Sequence, residues 1–207
     1  MRIRIHQHVN PLAPYYRFTP KPIEMAEVFV NPELPLHLDI GCARGRFILK
    51  MAEIDREQNY LGVEIREPLV AEANRLAREA NLTNLHYEFC NAMNEFDKLL
   101  EKLPEEIIQT VTIQFPDPWF KKKHAKRRMV NRELVATIVN HLAQNGRIFI
   151  QTDIEFLANE MFGFFRSCEN LREILIKENP FEVKTEREKA VEEKNMLIYR
   201  AMFEKMV

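Results

Sequence analysis

Leu36-His37-Leu38-Asp39-Ile40-Gly41-Cys42-Ala43-Arg44-Gly45-Arg46-Phe47 decides how the rest of this 207-residue chain is read. It is a short apolar run, then a glycine-containing loop, then a segment from Arg46 to Ile54 with apolar residues at 47, 48, 51 and 54. That is a strand feeding a helix through a tight turn. Two glycines with an alanine between them let the backbone turn sharply and approach a ligand closely. A dinucleotide fingerprint G-x-G-x-x-G would need glycines where Ala43 and Arg46 stand, so the loop is a poor pyrophosphate cradle.

The same alternation continues outward. Tyr60 to Glu64 reads as a strand and Glu67 to Ala80 as a helix rich in Ala, Leu, Glu and Arg. Leu85 to Phe89 reads as a strand, Ala92 to Leu103 as a helix and Ile107 to Phe115 as a strand. Asn131 to Ala143 reads as an amphipathic helix stopped by Asn145-Gly146, followed by a strand from Arg147 to Gln151 and a helix from Ile154 to Cys168. Two strand-like runs, Phe181 to Val183 and Met196 to Phe203, close the chain with no helix between them and suggest an antiparallel pair. The expected architecture is α/β: a doubly wound, mostly parallel seven-stranded sheet with an antiparallel C-terminal strand pair. Residues 1–33, with five prolines and a short helix near Glu24 to Val30, read as an N-terminal extension to a single domain over 34–207.

Composition sets limits on function. With 46% hydrophobic residues, one domain with a substantial core is expected. The net charge of -1 hides a local excess: residues 121 to 132 hold seven Lys/Arg and no acid, leaving 23 basic against 31 acidic elsewhere. Such a strip is either a solvated face or a directed site for a polyanion. Cys42, Cys90 and Cys168 are far apart without a CxxC pair, which suits reduced thiols and a cytoplasmic protein. The six histidines make no metal pattern with them, and no apolar run approaches the roughly 20 residues of a membrane helix. The start, MRIRIHQHVN, lacks the apolar core of a signal peptide.

In sheets of this kind ligands bind beyond the carboxyl ends of the strands. Asp39 ends the first strand and can meet a cationic amino group. Glu64 ends the second, 19 residues after Gly45, and can accept hydrogen bonds from ribose hydroxyls. Asn91 follows the third and can offer an amide to an adenine edge. Acidic residues at strand ends also serve as helix caps, and Gly41 suits a bare turn. In this order, however, sites for ribose, adenine and an amino acid without a phosphate site describe S-adenosylmethionine. The fourth strand then leads into Pro116-Asp117-Pro118-Trp119-Phe120 and the cationic run Lys121-Lys122-Lys123-His124-Ala125-Lys126-Arg127-Arg128. One carboxylate is held in a stiff turn at the mouth of that strip. Trp119 has two roles open to it, packing the loop against the core or stacking with Phe120 on an extruded base.

DIGCARGRF, GVE, PDPWFKKKHAKRR, QTD and the late TERE…LIYR together resemble the bacterial tRNA (guanine-N7)-methyltransferases, S-adenosylmethionine enzymes with the class I (Rossmann-like) methyltransferase fold. PDPW followed by K-x-x-H-x-K-R-R carries most of the specificity. The resemblance implies that Asp39, Gly41, Gly45, Glu64, Asn91 and Asp117 hold the cofactor, with Asp117 also catalytic. It implies that Lys121, Asp153 and the segment Thr185, Glu186, Arg187, Glu188 contact tRNA, with a guanosine of the variable loop as target. No metal or membrane is implied, and a monomer or a homodimer is expected. Ala43 replaces a glycine common in the family, and Arg187 stands where a tyrosine is usual. The charged segment Thr185 to Lys194 either closes over the substrate or forms a surface hairpin. Two competing functions are a methyltransferase acting on an exocyclic amine of a nucleic acid and a non-catalytic RNA-binding subunit of the same fold.

Overall fold

Five strands form in the order the hydrophobic runs dictate: β1 (Leu36–Ile40), β2 (Asn59–Glu64), β3 (Leu85–Phe89), β4 (Ile108–Gln114) and β5 (Leu142–Thr152). In the computed structural model, which describes residues 9–206, they pair in parallel. The full order is β3-β2-β1-β4-β5-β7-β6, where β6 (Leu171–Ile174) and β7 (Tyr199–Lys205) run antiparallel at one edge. Every residue of β1 and β2 is buried, as expected for parallel strands covered on both faces.

The two faces differ in kind. Leu36, Leu38, Ile40, Val111, Ile113, Ile148 and Ile150 point into one apolar cluster shared with α5 (Arg132–His141) and α6 (Glu155–Arg166). The alternate residues point the other way, toward α2 (Arg46–Ile54), α3 (Glu67–Glu79) and the chain near Phe181. That second face carries His37, Asp39, Thr112 and Gln151, all buried. Calculated by side-chain area, burying each aliphatic residue of the first face contributes about 1.5–3 kcal/mol. The polar row on the second face is held by specific hydrogen bonds instead.

Local chemistry accounts for several boundaries. Asn131 caps α5, accepting from the Leu134 N–H at 2.9 Å. That helix ends at His141, earlier than its Asn145-Gly146 stop signal, because Leu142 already pairs with Ile108 in the sheet. The Asn145-Gly146 step, with Asn145 at φ 58°, instead forms an irregularity inside β5. The expected helix over 92–103 shrinks to α4 (Phe96–Leu100). Asn91 Oδ1 accepts the Met93 N–H at 3.1 Å, a local turn that competes with helix.

The C-terminal region departs most from expectation. The antiparallel pair exists, but β7 pairs with Leu171–Ile174. Phe181 and Val183 lie outside any strand and fill the second core, with the Phe181 ring against His37, Phe47 and Phe149. Between them and β7 lies a helix, α7 (Glu186–Glu192). Its start has the T-x-x-E spacing, with Thr185 Oγ1 capping the Glu188 N–H at 3.1 Å while the Glu188 carboxylate turns inward to other partners. The N-terminal segment also belongs to the body of the domain. α1 (Met25–Val28) and its flanks send Ile23, Met25 and Phe29 into the main core. Residues 1–8 of the expected extension lie outside the described residues.

Gly45 shows how tightly the second layer is built. It has φ 67°, and a Cβ there would lie 2.2 Å from Tyr87 Cε1. The Tyr87 hydroxyl donates to the Gly45 carbonyl at 2.6 Å. Gly45→Ala therefore adds both a left-handed strain and a ring clash and should cost about 3 kcal/mol. Urea midpoints measure it, and combining it with Tyr87→Ala should cost less than the sum of the two single losses.

Candidate active site

The connections after β1 and β4 run in opposite directions across the sheet, since β1 leads to β2 and β4 leads to β5. A crevice opens at that reversal. Among the described residues a cleft of about 750 Å³ lies there, within the usual range for small-molecule sites. Asp39, Gly41, Glu64, Asn91, Asp117, Asp153, Thr185, Glu186 and Arg187 all line it. Gly45, Lys121 and Glu188 do not. Gly45 packs beneath Tyr87, Lys121 is exposed beside the cleft, and Glu188 is fully buried below α7.

Asp39 sits opposite Thr112 in the β1–β4 register. The Thr112 hydroxyl donates to Asp39 Oδ1 at 2.6 Å, and His37 Nε2 lies 3.0 Å from that hydroxyl oxygen. With its proton given to Asp39, Thr112 must accept from His37, which fixes the proton on Nε2. Burial keeps His37 neutral, lowering its pKa to about 3. Burial pushes the Asp39 carboxyl up to about 7 despite the hydrogen bond from Thr112 and the nearby Gln114 amide, and the charge of Glu64 adds to the rise. Gln114 Nε2 is itself buried without a well-formed partner.

Glu64 is already crowded with donors. Its Oε2 accepts the Ala43 N–H at 2.9 Å and Arg66 Nη2 at 3.0 Å. Its Oε1 accepts the Arg66 N–H at 3.0 Å and Nε at 2.7 Å. Ala43 reaches Glu64 from a left-handed conformation, φ 53°. Burial acts to lower the Arg66 pKa, but the Glu64 ion pair and the nearby charge of Asp117 raise it overall. A ribose at Glu64 would have to displace part of this fork. Asn91 is engaged as well: its amide donates to the carbonyls of Pro11 at 2.9 Å and Tyr16 at 3.2 Å. The amide expected to meet adenine thus ties residues 11–16 over this end of the cleft.

The PDPW turn is strained at both shoulders, with Phe115 at φ 50° and Trp119 at φ 42°. Such outliers persist only where their surroundings over-determine them. Arg128 supplies that constraint. Its Nε donates to the Pro118 carbonyl at 3.0 Å, its Nη2 to the Trp119 carbonyl at 3.3 Å, and its Nη1 pairs with Glu160 on α6. Arg128 is thus a rivet of the turn, removed from the free basic strip. Arg127 lies over the Trp119 ring at 4.9 Å. Lys121, Lys122, Lys123 and Lys126 remain exposed around a 3₁₀ helix over Lys122–Arg127.

Across the cleft, α7 is strapped down. Glu186 pairs with Arg46 of α2, and Arg187 pairs with Asp153 at the end of β5. Beneath it, Glu188 accepts from Arg200 at 2.8 Å, Gln151 at 2.9 Å and Asn179 at 2.7 Å. Gln151 in turn donates to Gln114 Oε1 at 2.8 Å. A hydrogen-bonded chain therefore runs from Gln114, beside the Asp39–Thr112 pair, through Gln151 to α7. Sequence reading missed Arg66, Thr112, Gln114 and Gln151. For Thr112, Gln114 and Gln151 the signal was polar residues alternating with Val111, Ile113 and Ile150 in buried strands; Arg66, just past β2, carried no such signal. Among the described residues no cluster of His, Cys, Asp and Glu could hold a metal ion.

Solved structures of similar fold include an rRNA methylase from Streptococcus thermophilus, with TM-score 0.56 and 14% identity over 88% of this chain and 92% of that one. The YcgJ protein from Bacillus subtilis has TM-score 0.57 and 15% identity over 84% and 93%. The fold is that of the class I methyltransferases. A sequence model for the family described as "Putative methyltransferase" matches residues 33–201. Proteins named tRNA (guanine-N(7)-)-methyltransferase are 50% identical in Trichormus variabilis, over 99% of this chain and 97% of the relative, and 48% identical in Synechococcus elongatus, over 98% and 96%. The chain belongs to the tRNA (guanine-N7)-methyltransferase family.

The Asp39 environment has a consequence for pH. A cationic ligand group prefers the ionised carboxylate, which exists above about pH 7 in the free protein. Affinity for S-adenosylmethionine should hold above that point and weaken as pH falls through it, approaching about tenfold per unit. Thr112→Val removes a hydrogen bond that lowers the Asp39 pKa, so it should move the fall to higher pH. Calorimetric titrations from pH 5.5 to 8.5 measure both, and a pH-independent affinity would detach Asp39 from the ligand's charged group.

Proposed function

We propose that this protein transfers a methyl group from S-adenosylmethionine to N7 of a guanosine in tRNA, in the variable loop. The observation that carries the reading is the placement of Asp117: a carboxylate in an over-determined turn that lines the ligand cleft and leads directly into a run with four exposed lysines. The cleft suits the methyl donor. Its inner end presents Asp39, Glu64 and Asp117, and its glycine loop lacks the third glycine of a pyrophosphate cradle. Asp39 would meet the amino group, Glu64 the ribose in exchange for Arg66 contacts, and the Asn91 region the adenine. Bound S-adenosylmethionine supplies a methyl group on a sulfonium with a neutral thioether as leaving group.

Guanine N7 carries a free lone pair at neutral pH, so no side chain has to remove a proton before attack. The protein's task is alignment and charge balance. Asp117 is held stiffly enough for both. Its carboxylate orients the base by accepting from guanine N–H groups and offsets positive charge as it develops on the ring. Arg66 can partner Asp117 or Glu64, so releasing one carboxylate leaves its charge on the other. Asp153, Thr185, Glu186 and Arg187 border the opposite wall, where the RNA enters, and Glu188 holds that wall from beneath. The exposed lysines contact backbone phosphates. A tRNA substrate places the activity in the cytoplasm.

Labelled methyl transfer to a tRNA transcript tests the reading. The label should be lost when the variable-loop guanosine is replaced, and the product should break at that site after borohydride and aniline treatment. Uncleavable labelled RNA would move the chemistry to an exocyclic amine, and binding without transfer would leave an RNA-binding subunit. Asp117→Asn should lower kcat by about 100-fold or more while changing cofactor affinity only slightly. Replacing Lys121, Lys122, Lys123 and Lys126 by alanine should flatten the salt dependence of tRNA affinity by about one unit of log–log slope per lost phosphate contact. An unchanged slope would return the strip to a solvated face.

A further inference from the structure

Phe120 and Phe156 form an exposed aromatic pair at the cleft mouth, and nothing above gives Phe156 a role. Phe120 follows the PDPW turn, lines the cleft and is 67% exposed; Phe156 sits in the first turn of α6 and is 40% exposed. Their rings meet nearly edge to face, with centroids 5.9 Å apart and planes at 65°. The guanidinium of Arg128 lies 4.9 Å from the Phe156 ring and is fixed by its bonds to Pro118, Trp119 and Glu160. The pair is therefore held in place while still facing water. Two phenylalanines left open to solvent are costly unless something covers them.

We propose that Phe120 and Phe156 are a stacking platform for a second, unpaired nucleobase of the RNA, a neighbour of the target guanosine; this rests on the reading of the cleft as a guanosine site. An enzyme that works on a base within a folded RNA takes that base out of its stack, which uncovers a face of the adjoining base. The exposed face of one phenyl ring, buttressed by the other, re-covers that face beside the cleft and offsets the cost of extrusion. The occupant is a nucleobase rather than an apolar protein segment because the platform adjoins Lys121, Lys122, Lys123 and Lys126, all exposed. A polyanion brought there by its phosphates presents bases at the same height. Stacking on a phenyl ring is indifferent to base identity, so the platform favours an unpaired neighbour without reading its sequence. Trp119 is less suited to the role, since Arg127 and His124 already pack against its ring.

The test compares wild type, Phe156→Ala, Phe120→Ala and Phe156→Trp on a tRNA transcript and on transcripts abasic at the nucleotide before or after the target guanosine. Each alanine change should raise KM for tRNA by about 5- to 150-fold, with the loss carried by KM rather than kcat. Phe156→Trp should restore it, S-adenosylmethionine affinity should stay constant, and the salt slope should not change. One abasic transcript should show the same rise with wild type and no further rise with the alanine variants. Losses that simply add on both abasic transcripts, or an equal fall in cofactor affinity, would overturn the platform while methyl transfer by wild type still stood. Absence of methyl transfer by wild type would overturn the guanosine site and the platform together.

Discussion

The hydrogen bond from Thr112 to Asp39 joins the two strands between which the sheet reverses direction. The rest of the site depends on that juncture. A parallel sheet must be covered on both faces, so its interior offers few places for polar groups. Here they are concentrated on one face, in register: Asp39 on β1, Thr112 and Gln114 on β4, Gln151 on β5 and Arg200 on β7. Thr112 donates to Asp39, and Gln151 links Gln114, Arg200 and Glu188, which makes most of a buried polar row tolerable. The row ends under α7, so the wall expected to meet RNA and the carboxylate expected to meet the methyl donor stand on the same face of one sheet.

The cleft is also a balance of charge. Three carboxylates, Asp39, Glu64 and Asp117, share its inner end with one strongly held cation, Arg66. Burial raises the cost of ionising Asp39. A cationic ligand relieves it. The basic strip outside has the opposite character, with lysines exposed to water and spaced around a short helix. A cation-seeking interior beside an anion-seeking rim is the arrangement that a sulfonium donor and a polyanionic acceptor require of one protein.

Much of this could be read along the chain. The alternation of runs from Leu36 to Gln151 implied a doubly wound, mostly parallel sheet, and the acidic strand ends Asp39 and Glu64 marked the crevice. The pattern failed where tertiary contacts outweighed local signals. Phe181-Glu182-Val183 alternates like a strand, yet its apolar residues are plugs for the core around His37. Thr185-Glu186-Arg187-Glu188 was read for its charge, and its helix-starting spacing T-x-x-E went unused. Arg128 was counted with the basic strip because sequence does not tell a paired guanidinium from a free one.

What the sequence determined by itself was the sheet, the glycine turn, the proline-bound carboxylate and the local density of positive charge. Those follow from near-neighbour physics: hydrophobic period, fixed proline φ and the chemistry of adjacent side chains. Tertiary structure alone decided which polar groups are already partnered. It assigned Arg66 to Glu64, the Asn91 amide to the N-terminal segment, Arg187 to Asp153 and Arg128 to the PDPW turn. Hydrogen-bonding capacity is limited and is allocated among groups far apart in the chain, so no reading of spacing could distribute it.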